Sequence, residues 1–482
     1  MRTILLFNCV VITFFSLLSV YNCVPTSKSD RKSSAKQSSK TSSPPKQKLI
    51  LILADGVRYD YINDPTLKGF KRMARTGVRA EYVRPIFPSN SYPNWYTIVT
   101  GKYAESHGMV QNFMYDFEKN DTFLMWPHSN ASHPHWWEMA EPLWTTAEKQ
   151  GVKTAVYWWD GCQIRIKNTE PTLCLEYQSF WTWPNVKNDT MEAIDEILDN
   201  FESDEWQLAL IYYEAVDATG HAFGPESSDR VEAMRDLDEI LYHLQEQIES
   251  RNLSETVNTV VVSDHGMLMV ETENDANKTK IISIEKIIDE HDVIVMLDRG
   301  ATSMLIPVQG KESKILDDLK KANTSGLRFY DKPNIPTKYH FKNNQRVAPI
   351  LLVADKGYFL EGFSSHGKTR PISDVLYPGH HGYDPYDVKE MRTIFYATGS
   401  RLKHGFVSKP LMMTDHYNLI CFLLGIEAAP NNGSWNRVQD MVAESNAHVE
   451  YYSSRPACEN VGIVFQSSIS MIISMAIILI LR

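Results

Sequence analysis

Three apolar runs restrict what this chain can fold into more than any other feature. Lys48–Ala54, Gln207–Tyr213 and Thr259–Ser263 are apolar along almost their whole length, which is typical of parallel strands that are buried on both faces. Helical patterns lie between them, such as Ser227–Ser250, where apolar residues recur at intervals of three and four. Strands that alternate with helices predict an α/β fold, with a doubly wound, mostly parallel sheet and helices on both faces.

Acidic residues and histidines follow each of these runs, and a loop with no strand of its own carries two further histidines. In chain order they are Asp55, then Asp217 and His221, then Asp264 and His265, and finally His380 and His381 in the loop. Proteins with such sheets bind their ligands at the carboxyl ends of the strands. We therefore expect these side chains to converge at that edge of the sheet. Carboxylates and imidazoles in this number suit two divalent cations, and two Zn2+ ions are the leading expectation.

A serine at the start of another predicted helix is the candidate nucleophile. Ser91 is followed by Pro93, by apolar residues at Trp95 and Ile98, and by Gly101, a pattern that predicts a helix of about two turns. The positive field of a helix N-terminus favours an oxyanion or a phosphate. Most serines in this position only cap a helix, so the assignment depends on the predicted metal ligands.

A serine beside two cations has a specific chemical use. Two cations about 4 Å apart hold the attacking and leaving oxygens of an in-line displacement at phosphorus. A hydroxyl that binds one of the cations loses its proton near neutral pH without a histidine base. The sequence therefore predicts phosphoryl transfer with Ser91 as the nucleophile.

A series of motifs occurs in a fixed order along residues 48–441. They are Asp55-Gly-x-Arg-x-Asp60-Tyr61, Ser91-Tyr-Pro-Asn94, Thr100-Gly-x-x-x-Glu-x-His107, Asn112-x-Met-Tyr-Asp116, Asp217-x-x-Gly-His221-x-x-Gly-Pro225, Ser263-Asp-His-Gly-Met267 and His381-Gly-Tyr-Asp384. This series resembles the nucleotide pyrophosphatase/phosphodiesterase family of the alkaline phosphatase superfamily. The resemblance implies a sheet of the alkaline-phosphatase-like type and a zinc-dependent phosphodiesterase activity.

The resemblance also implies a role for each site residue. One zinc is held by Asp217, His221 and His381, and the other by Asp55, Ser91, Asp264 and His265. Ser91 attacks the phosphodiester and forms a phosphoryl-serine, which water then hydrolyses. Asn112 and the backbone amide near Ser91 hold a non-bridging phosphate oxygen, so that Ser91, Asn112 and Asp217 are also substrate-binding residues. His381 is preferred to His380 because the ligand of the family directly precedes Gly-Tyr-Asp.

Within the family, the chain resembles the choline-specific glycerophosphodiester phosphodiesterases. The resemblance lies in the serine nucleophile and in the segments Tyr157–Cys162, Pro171–Tyr177 and Pro430–Trp435. A quaternary ammonium group cannot donate hydrogen bonds and is held by aromatic faces with a carboxylate nearby. The predicted walls of such a pocket are Trp158, Trp159, Glu176, Tyr177 and Tyr212. Each of these aromatic residues has the alternative of packing in the core.

Three functions are therefore compared. The first is an extracellular phosphodiesterase that releases phosphocholine from glycerophosphocholine or lysophosphatidylcholine. The second is the same machinery acting on nucleotides, with the aromatic residues as walls that stack on a base. The third is an inactive surface binding protein, against which the complete set of predicted ligands argues. The net charge of -10 argues against a nucleic-acid-binding surface.

Several features predict a secreted glycoprotein. Residues 1–23 have the form of a signal peptide, and residues 24–47 form a Ser/Lys-rich leader that is expected to be disordered. Seven glycosylation sequons follow, at Asn120, Asn130, Asn188, Asn252, Asn277, Asn323 and Asn432. The cysteines of the mature chain, namely Cys162, Cys174, Cys421 and Cys458, allow three disulfide pairings. Cys162 with Cys174 is the first choice because it closes a short loop.

The end of the chain predicts attachment to a membrane. A catalytic domain of residues 48–442 is followed by a tail of residues 443–458 and by a hydrophobic signal of residues 459–482, which contains the apolar run Ile469–Leu481. Exchange of this signal for a GPI anchor on the extracellular face is preferred to a single transmembrane helix. A homodimer is a further expectation.

Overall fold

The structure of the chain, a computed structural model, describes residues 46–270, 279–365, 367–371 and 376–443. The predicted signal peptide, nearly all of the leader, the tail after Ala443 and the C-terminal signal lie outside the described residues, as do the sequon at Asn277 and Cys458. No helix within the described ranges combines the length and the apolarity that are needed to cross a membrane.

The strands of the described chain are β1 (Lys48–Ala54), β2 (Val78–Ala80), β3 (Val83–Arg84), β4 (Met114–Asp116), β5 (Asp121–Phe123), β6 (Thr154–Tyr157), β7 (Leu173–Leu175), β8 (Leu208–Tyr213), β9 (Val257–Val262), β10 (Leu268–Met269), β11 (Lys280–Ser283), β12 (Val293–Leu297), β13 (Thr302–Pro307), β14 (Leu327–Asp331), β15 (Ile350–Ala354), β16 (Tyr358–Glu361), β17 (Thr369–Arg370), β18 (Gly379–His380), β19 (Phe395–Thr398), β20 (Phe406–Ser408) and β21 (Leu411–Met412). The α-helices are α1 (Lys68–Thr76), α2 (Ser91–Thr100), α3 (Ala104–His107), α4 (Leu143–Glu148), α5 (Val186–Glu202), α6 (Ala215–Phe223), α7 (Ser228–Ser250), α8 (Glu312–Ala322), α9 (His416–Leu424) and α10 (Trp435–Val438).

The three predicted strands form the middle of the central sheet. Its order in the described residues is β20-β2-β19-β9-β1-β8-β6-β7. Strand β1 pairs in parallel with β8 on one side and with β9 on the other, whereas β19 is antiparallel to β9 and β2. The predicted α/β fold with a mostly parallel sheet is therefore confirmed.

Helices cover both faces of this sheet because the side chains of β1 alternate between two cores. Leu49, Leu51 and Leu53 face one core, to which α2, α4 and α9 contribute. Ile50 and Ile52 face the other, which contains residues of α1, α5 and α7. Burying a side chain of this size contributes about 1.5–3 kcal/mol. Burial of both faces thus fixes the position of β1. The polar residues that directly follow β1 therefore have defined positions as well.

A second sheet, with the order β14-β15-β13-β12-β17, was not predicted. Its pairings are antiparallel except for that of β12 with β17. The sequence analysis recognised continuously buried parallel strands, and β14 lacks this pattern because all of its residues are only partly buried. This sheet has its own hydrophobic core.

Two local predictions can be compared directly with the structure. Cys162 and Cys174 form a disulfide, as preferred, with their Cα atoms 5.7 Å apart, and Cys421 is a buried free thiol. The loop before Gly382 was predicted to have no strand of its own, and this was wrong. Gly379 and His380 form β18, which pairs antiparallel with β10. This pairing brings the loop beside the residues that follow β9.

Candidate metal centre

Ser91 is the first residue of α2, directly after Asn90 at the N-cap position. The predicted helix is confirmed and ends at Gly101, whose φ of 66° is in the left-handed region that suits glycine. The Ser91 side chain is buried, and its Oγ lies 3.1 Å from Nε2 of His265. The hydroxyl therefore faces the histidine that follows β9, as the sequence predicted.

The first group of ligands comes from the ends of β1 and β9. Since these strands are parallel neighbours, Asp55 after β1 and Asp264 after β9 emerge side by side. Nε2 of His265 lies 3.4 Å from Oδ1 of Asp55 and 3.2 Å from Oδ2 of Asp264. These three residues offer ligand atoms that all lie within 4.8 Å of one another.

The second group comes from α6 and from the segment after β18. Asp217 and His221 are one helical turn apart on α6, and His221 Nε2 lies 3.5 Å from Asp217 Oδ2. Nε2 of His381 lies 4.0 Å from Oδ1 of Asp217. The rings of His381 and His265 stack at 3.5 Å between centroids, so the two groups adjoin. The structure thus brings together all the residues that were predicted as metal ligands.

Each histidine is oriented by a backbone carbonyl on its far side. Nδ1 of His221 lies 2.7 Å from the Gly379 oxygen, and Nδ1 of His265 lies 3.0 Å from the Gly266 oxygen. Nδ1 of His381 lies 3.1 Å from the oxygen of Ser89. A proton on Nδ1 would be donated to the carbonyl and would leave Nε2 free to bind a metal, as is usual for a metal-binding histidine.

Two aromatic side chains hold the carboxylates, and neither role was predicted. Tyr212 donates from its hydroxyl to Oδ2 of Asp55 at 2.6 Å. Trp95 donates from Nε1 to Oδ2 of Asp264 at 2.8 Å. Sequence reasoning assigned Tyr212 to a choline pocket and Trp95 only to a helix pattern. Both contacts arise from tertiary structure, because Tyr212 lies on β8, the parallel neighbour of β1, and Trp95 lies on α2.

The buried carboxylates of the centre lie close together and favour the binding of cations. Burial raises the pKa of Asp55 well above its usual value, and the nearby charges of Asp264 and Asp217 raise it further. Burial likewise raises the pKa of Asp217, and it lowers the pKa of His221 to about 4. Within the described residues, Oδ1 of Asp55 and Oδ1 of Asp217 are buried without a hydrogen-bond partner. Divalent cations would satisfy both oxygens, so the residues present fit a two-metal centre.

His380 and Asn112 occupy defined positions near the centre. Among the described residues, His381, and not His380, belongs to a group of side chains that could hold a metal ion, which agrees with the preference drawn from the sequence. Oδ1 of Asn112 accepts the backbone N–H of Tyr92 at 3.0 Å. The backbone amide directly after Ser91 is thus already bonded, whereas the NH2 group of Asn112 is a donor that could contact a phosphate oxygen.

The predicted choline pocket is only partly assembled. Tyr177 and Tyr212 have ring centroids 5.7 Å apart, and Tyr177 donates to Oε1 of Glu214 at 2.7 Å. Trp158 packs against Trp183 in one core. Trp159 is 1% exposed in the core on the other face. Trp158 therefore lies in a different core from Tyr212, whereas Trp159 is buried in the same core as Tyr212, against which Tyr177 packs.

Further groups extend the wall formed by the two tyrosines. The ring of Trp126 lies 5.0 Å from that of Tyr177. Glu176 is exposed, and its charge contributes to the raised pKa of Asp160, which burial raises most. Oδ2 of Asp160 accepts the hydroxyl of Tyr92. Trp126 and Glu214 were not predicted, because their contacts with Tyr177 arise from tertiary structure.

Comparisons with known proteins agree with this geometry. A profile of the family described as "Type I phosphodiesterase / nucleotide pyrophosphatase" matches residues 49–384. The chain is similar to ectonucleotide pyrophosphatase/phosphodiesterase family member 5 of Homo sapiens, with 31% identity over 411 residues, which are 85% of this chain and 81% of that protein. It is also similar to a bis(5'-adenosyl)-triphosphatase of Xenopus laevis, with 32% identity over 397 residues, or 82% of each chain.

A solved structure shows the same fold. It is the murine ectonucleotide pyrophosphatase/phosphodiesterase 5 in an inactive form, in complex with AMP. It matches with a TM-score of 0.73 and 32% sequence identity, and the match covers 82% of this chain and 100% of that chain.

Proposed function

The chain belongs to the type I phosphodiesterase/nucleotide pyrophosphatase family, and on that premise we propose that it hydrolyses choline phosphodiesters to phosphocholine. Glycerophosphocholine and lysophosphatidylcholine are the proposed substrates, and two Zn2+ ions are the proposed cofactors. The observation that carries the proposal is the aromatic wall of Tyr212, Tyr177 and Trp126, which begins at Asp55, with the exposed carboxylate of Glu176 adjacent to Tyr177 in the chain. Aromatic faces with a carboxylate nearby are what a quaternary ammonium group requires.

The residues of the centre have separate tasks in this reaction. Asp55, Ser91, Asp264 and His265 would hold one cation, and Asp217, His221 and His381 the other. When bound, the cations would neutralise the charge of the phosphoryl group and lower the pKa of the Ser91 hydroxyl. Ser91 Oγ forms a bond to phosphorus while the bond from phosphorus to the glycerol oxygen breaks. The proton of the Ser91 hydroxyl goes to the departing glycerol oxygen. Water then attacks phosphorus, the bond to Ser91 breaks, the Ser91 oxygen regains a proton from the water, and phosphocholine leaves.

Nucleotides are the second candidate class of substrate. The Xenopus laevis relative is named for a dinucleoside triphosphate, and the murine structure holds AMP. In this case the wall of Tyr212, Tyr177 and Trp126 would stack on a base. The complete set of predicted ligands argues against the third candidate, an inactive binding protein.

Paired assays of the secreted enzyme distinguish the two substrate classes. We expect release of phosphocholine from glycerophosphocholine with a higher kcat/KM than release of nitrophenol from a p-nitrophenyl ester of thymidine monophosphate. We also expect the Glu176→Gln variant to raise the KM for glycerophosphocholine by about tenfold, since a carboxylate near a cation contributes roughly 1 kcal/mol or more. Glu170→Gln is the control, because Glu170 is an exposed carboxylate of the same segment that pairs with Arg165. Turnover of the nucleotide ester alone would overturn the choline assignment.

The cellular setting is part of the proposal. We propose a glycoprotein on the extracellular face of the cell membrane, attached through a GPI anchor, that acts on small or lysolipid substrates and forms a homodimer. Among the described sequons, Asn120, Asn188, Asn252 and Asn323 are exposed, as attachment of a glycan requires. Release from cells by a phosphatidylinositol-specific phospholipase is expected. Complete retention on the membrane after digestion would favour the transmembrane alternative.

A further inference from the structure

A second cluster of metal-binding side chains lies outside the catalytic centre. It consists of Asp121, the first residue of β5, and of His133 and His135 on either side of Pro134. Each residue offers one ligand atom, and these atoms all lie within 4.8 Å of one another. We infer that this Asp121–His133–His135 cluster binds a divalent transition-metal ion of the Zn2+ class.

The carboxylate of Asp121 is oriented toward both imidazoles. Its Oδ1 accepts the backbone N–H of Thr122 at 2.8 Å and the side-chain amide of Asn130 at 3.1 Å. Its Oδ2 is left to face the histidines, with Nδ1 of His133 at 2.6 Å and Nε2 of His135 at 3.5 Å. A small outward movement of His133 opens the space that an ion needs, and His133 is able to move because half of its side chain is exposed.

An unpartnered nitrogen in the cluster is independent support. Nε2 of His135 is shielded from solvent and has no hydrogen-bond partner within the described ranges. A buried polar atom without a partner destabilises a fold. A metal ion between this nitrogen and Oδ2 of Asp121 would satisfy both atoms. A hydrogen bond between His133 and Asp121 alone leaves the nitrogen of His135 unexplained.

The ligand set indicates the class of metal. Two imidazoles and one carboxylate suit Zn2+ and neighbouring transition metals, whereas Ca2+ and Mg2+ prefer oxygen ligands. Solvent water would complete the coordination on the exposed side of His133. The proposed ion is therefore accessible from the surface and has a structural role. The proposed phosphodiesterase reaction does not require it.

The position of the cluster gives the ion a structural task. It would connect the β4–β5 hairpin to the segment of His135, whose backbone oxygen accepts a hydrogen bond from Arg346. Phe123 of the same hairpin packs against Tyr92 of α2, with ring centroids 5.0 Å apart. Metal binding would thus stabilise the support of the helix that begins with Ser91.

Metal analysis of the secreted full chain tests the inference. The protein is equilibrated with a buffered, low concentration of free Zn2+, and zinc per chain is measured by mass spectrometry. We expect the His133→Ala/His135→Ala variant to contain one equivalent less than the parent protein. Both substitutions leave the sequons at Asn120 and Asn130 intact, so glycosylation does not change between the samples.

The control separates a metal site from an ordinary pair of side chains. His291 lies 2.9 Å from Asp289 on the surface, like His133 beside Asp121, but this pair belongs to none of the metal-binding clusters found in the described chain. His291→Ala should leave the zinc content unchanged. Equal zinc content in the parent and the double variant overturns the inference.

A second variant keeps the test decisive if the double variant does not fold. Asp121→Asn preserves the size of the side chain and the acceptor for Thr122 and Asn130. We expect it to fold, to retain phosphodiesterase activity and to lose the same single equivalent of zinc. It should also show a smaller rise in melting temperature on addition of Zn2+ than the parent does. Zinc content and a melting response identical to those of the parent overturn the inference independently of the catalytic centre.

Discussion

At the scale of single residues, the environment of Ser91 distinguishes it from a nearby serine. Oγ of Ser91 faces His265 at 3.1 Å, whereas the hydroxyl of Ser89 is fully buried and donates to the backbone oxygen of Tyr383. Ser91→Ala is expected to reduce turnover by a factor on the order of 10⁴ or more, because no other hydroxyl replaces the nucleophile. Metal content should change little, since the carboxylate and imidazole ligands remain.

The matched control for this substitution is Ser89→Ala. It removes a hydroxyl of the same kind that does not face the metal ligands, and turnover should be retained. Both variants are compared by kcat and by metal analysis. Retained turnover in Ser91→Ala together with loss in Ser89→Ala would move the nucleophile to Ser89.

Tyr212 and Tyr213 provide a second comparison between adjacent residues. Tyr212 donates to Asp55 at 2.6 Å, while the hydroxyl of buried Tyr213 has no hydrogen-bond partner in the described chain. Tyr212→Phe is expected to weaken metal binding by about 10- to 100-fold, since Asp55 loses the donor that orients it. Tyr213→Phe should leave metal binding unchanged. The measurement is activity against buffered free Zn2+, and identical curves for the two variants would contradict the proposed role of Tyr212.

At the scale of elements, the centre depends on how closely α6 approaches the end of β1. Gly56 has a φ of +70°, and a Cβ there would lie 2.8 Å from Cα of Asp217. Gly56→Ala must therefore push α6 away, and with it Asp217 and His221. We expect a loss of kcat/KM of at least about 100-fold, because a displacement of 1 Å has that effect on positioned groups.

Gly151→Ala is the control for the backbone conformation. Gly151 has a φ of +77°, and a Cβ there would meet nothing within 4 Å. The substitution should destabilise the protein by about 1 kcal/mol through backbone strain alone and leave kcat/KM unchanged. Equal kinetic effects of both substitutions would show that strain, and not the contact with α6, accounts for the loss.

At the scale of the whole molecule, a buried ion pair connects distant parts of the chain. Nε of Arg346 donates to Oδ2 of Asp116 at 3.1 Å, and both side chains are almost fully buried. Arg346 also donates to the backbone oxygens of Gly108 and Trp136. Asp116→Asn is expected to lower the free energy of unfolding by about 3 kcal/mol, because it leaves a buried guanidinium without its counter-charge.

This effect should depend on pH. Burial alone would raise the pKa of Asp116, but the backbone N–H of Lys119 and the guanidinium of Arg346 outweigh burial and hold the pKa below its usual value. Because the folded-state pKa is lowered, the stabilisation is present above the ordinary pKa of about 3.9 and is lost as the pH falls through the folded value. Denaturant unfolding of both proteins from pH 7 to pH 3 should therefore show converging stabilities. A constant difference over this range would contradict the ion-pair explanation.

Metal removal acts on the molecule as a whole. Without cations, Asp55, Asp217 and Asp264 face one another across a buried centre, so chelation should abolish activity and lower the melting temperature. Addition of Zn2+ is expected to restore both. Full activity after exhaustive chelation, with metal analysis confirming removal, would exclude a metal-dependent reaction.

The sequence by itself determined the class of fold and the membership of the centre. The apolar runs at β1, β8 and β9 identify buried parallel strands through local periodicity, and the residues that directly follow a strand must lie at its carboxyl end. Asp55, Asp264 and His265 could therefore be assigned from their positions in the chain alone. The neighbours of Ser91 encode the helix start, whereas its assignment as the candidate nucleophile depended on the predicted metal ligands elsewhere in the chain.

Only the tertiary structure decided which side chains support these residues. Tyr212 reaches Asp55 across 157 positions of sequence, and Trp95 reaches Asp264 across 169. Such contacts depend on strand order and register, which no local pattern contains. The same reason explains why Trp158 lies in a different core from Tyr212, and why the second sheet and the Asp121–His133–His135 cluster were not predicted. Local periodicity specifies elements, whereas the packing of the core determines which of their side chains meet.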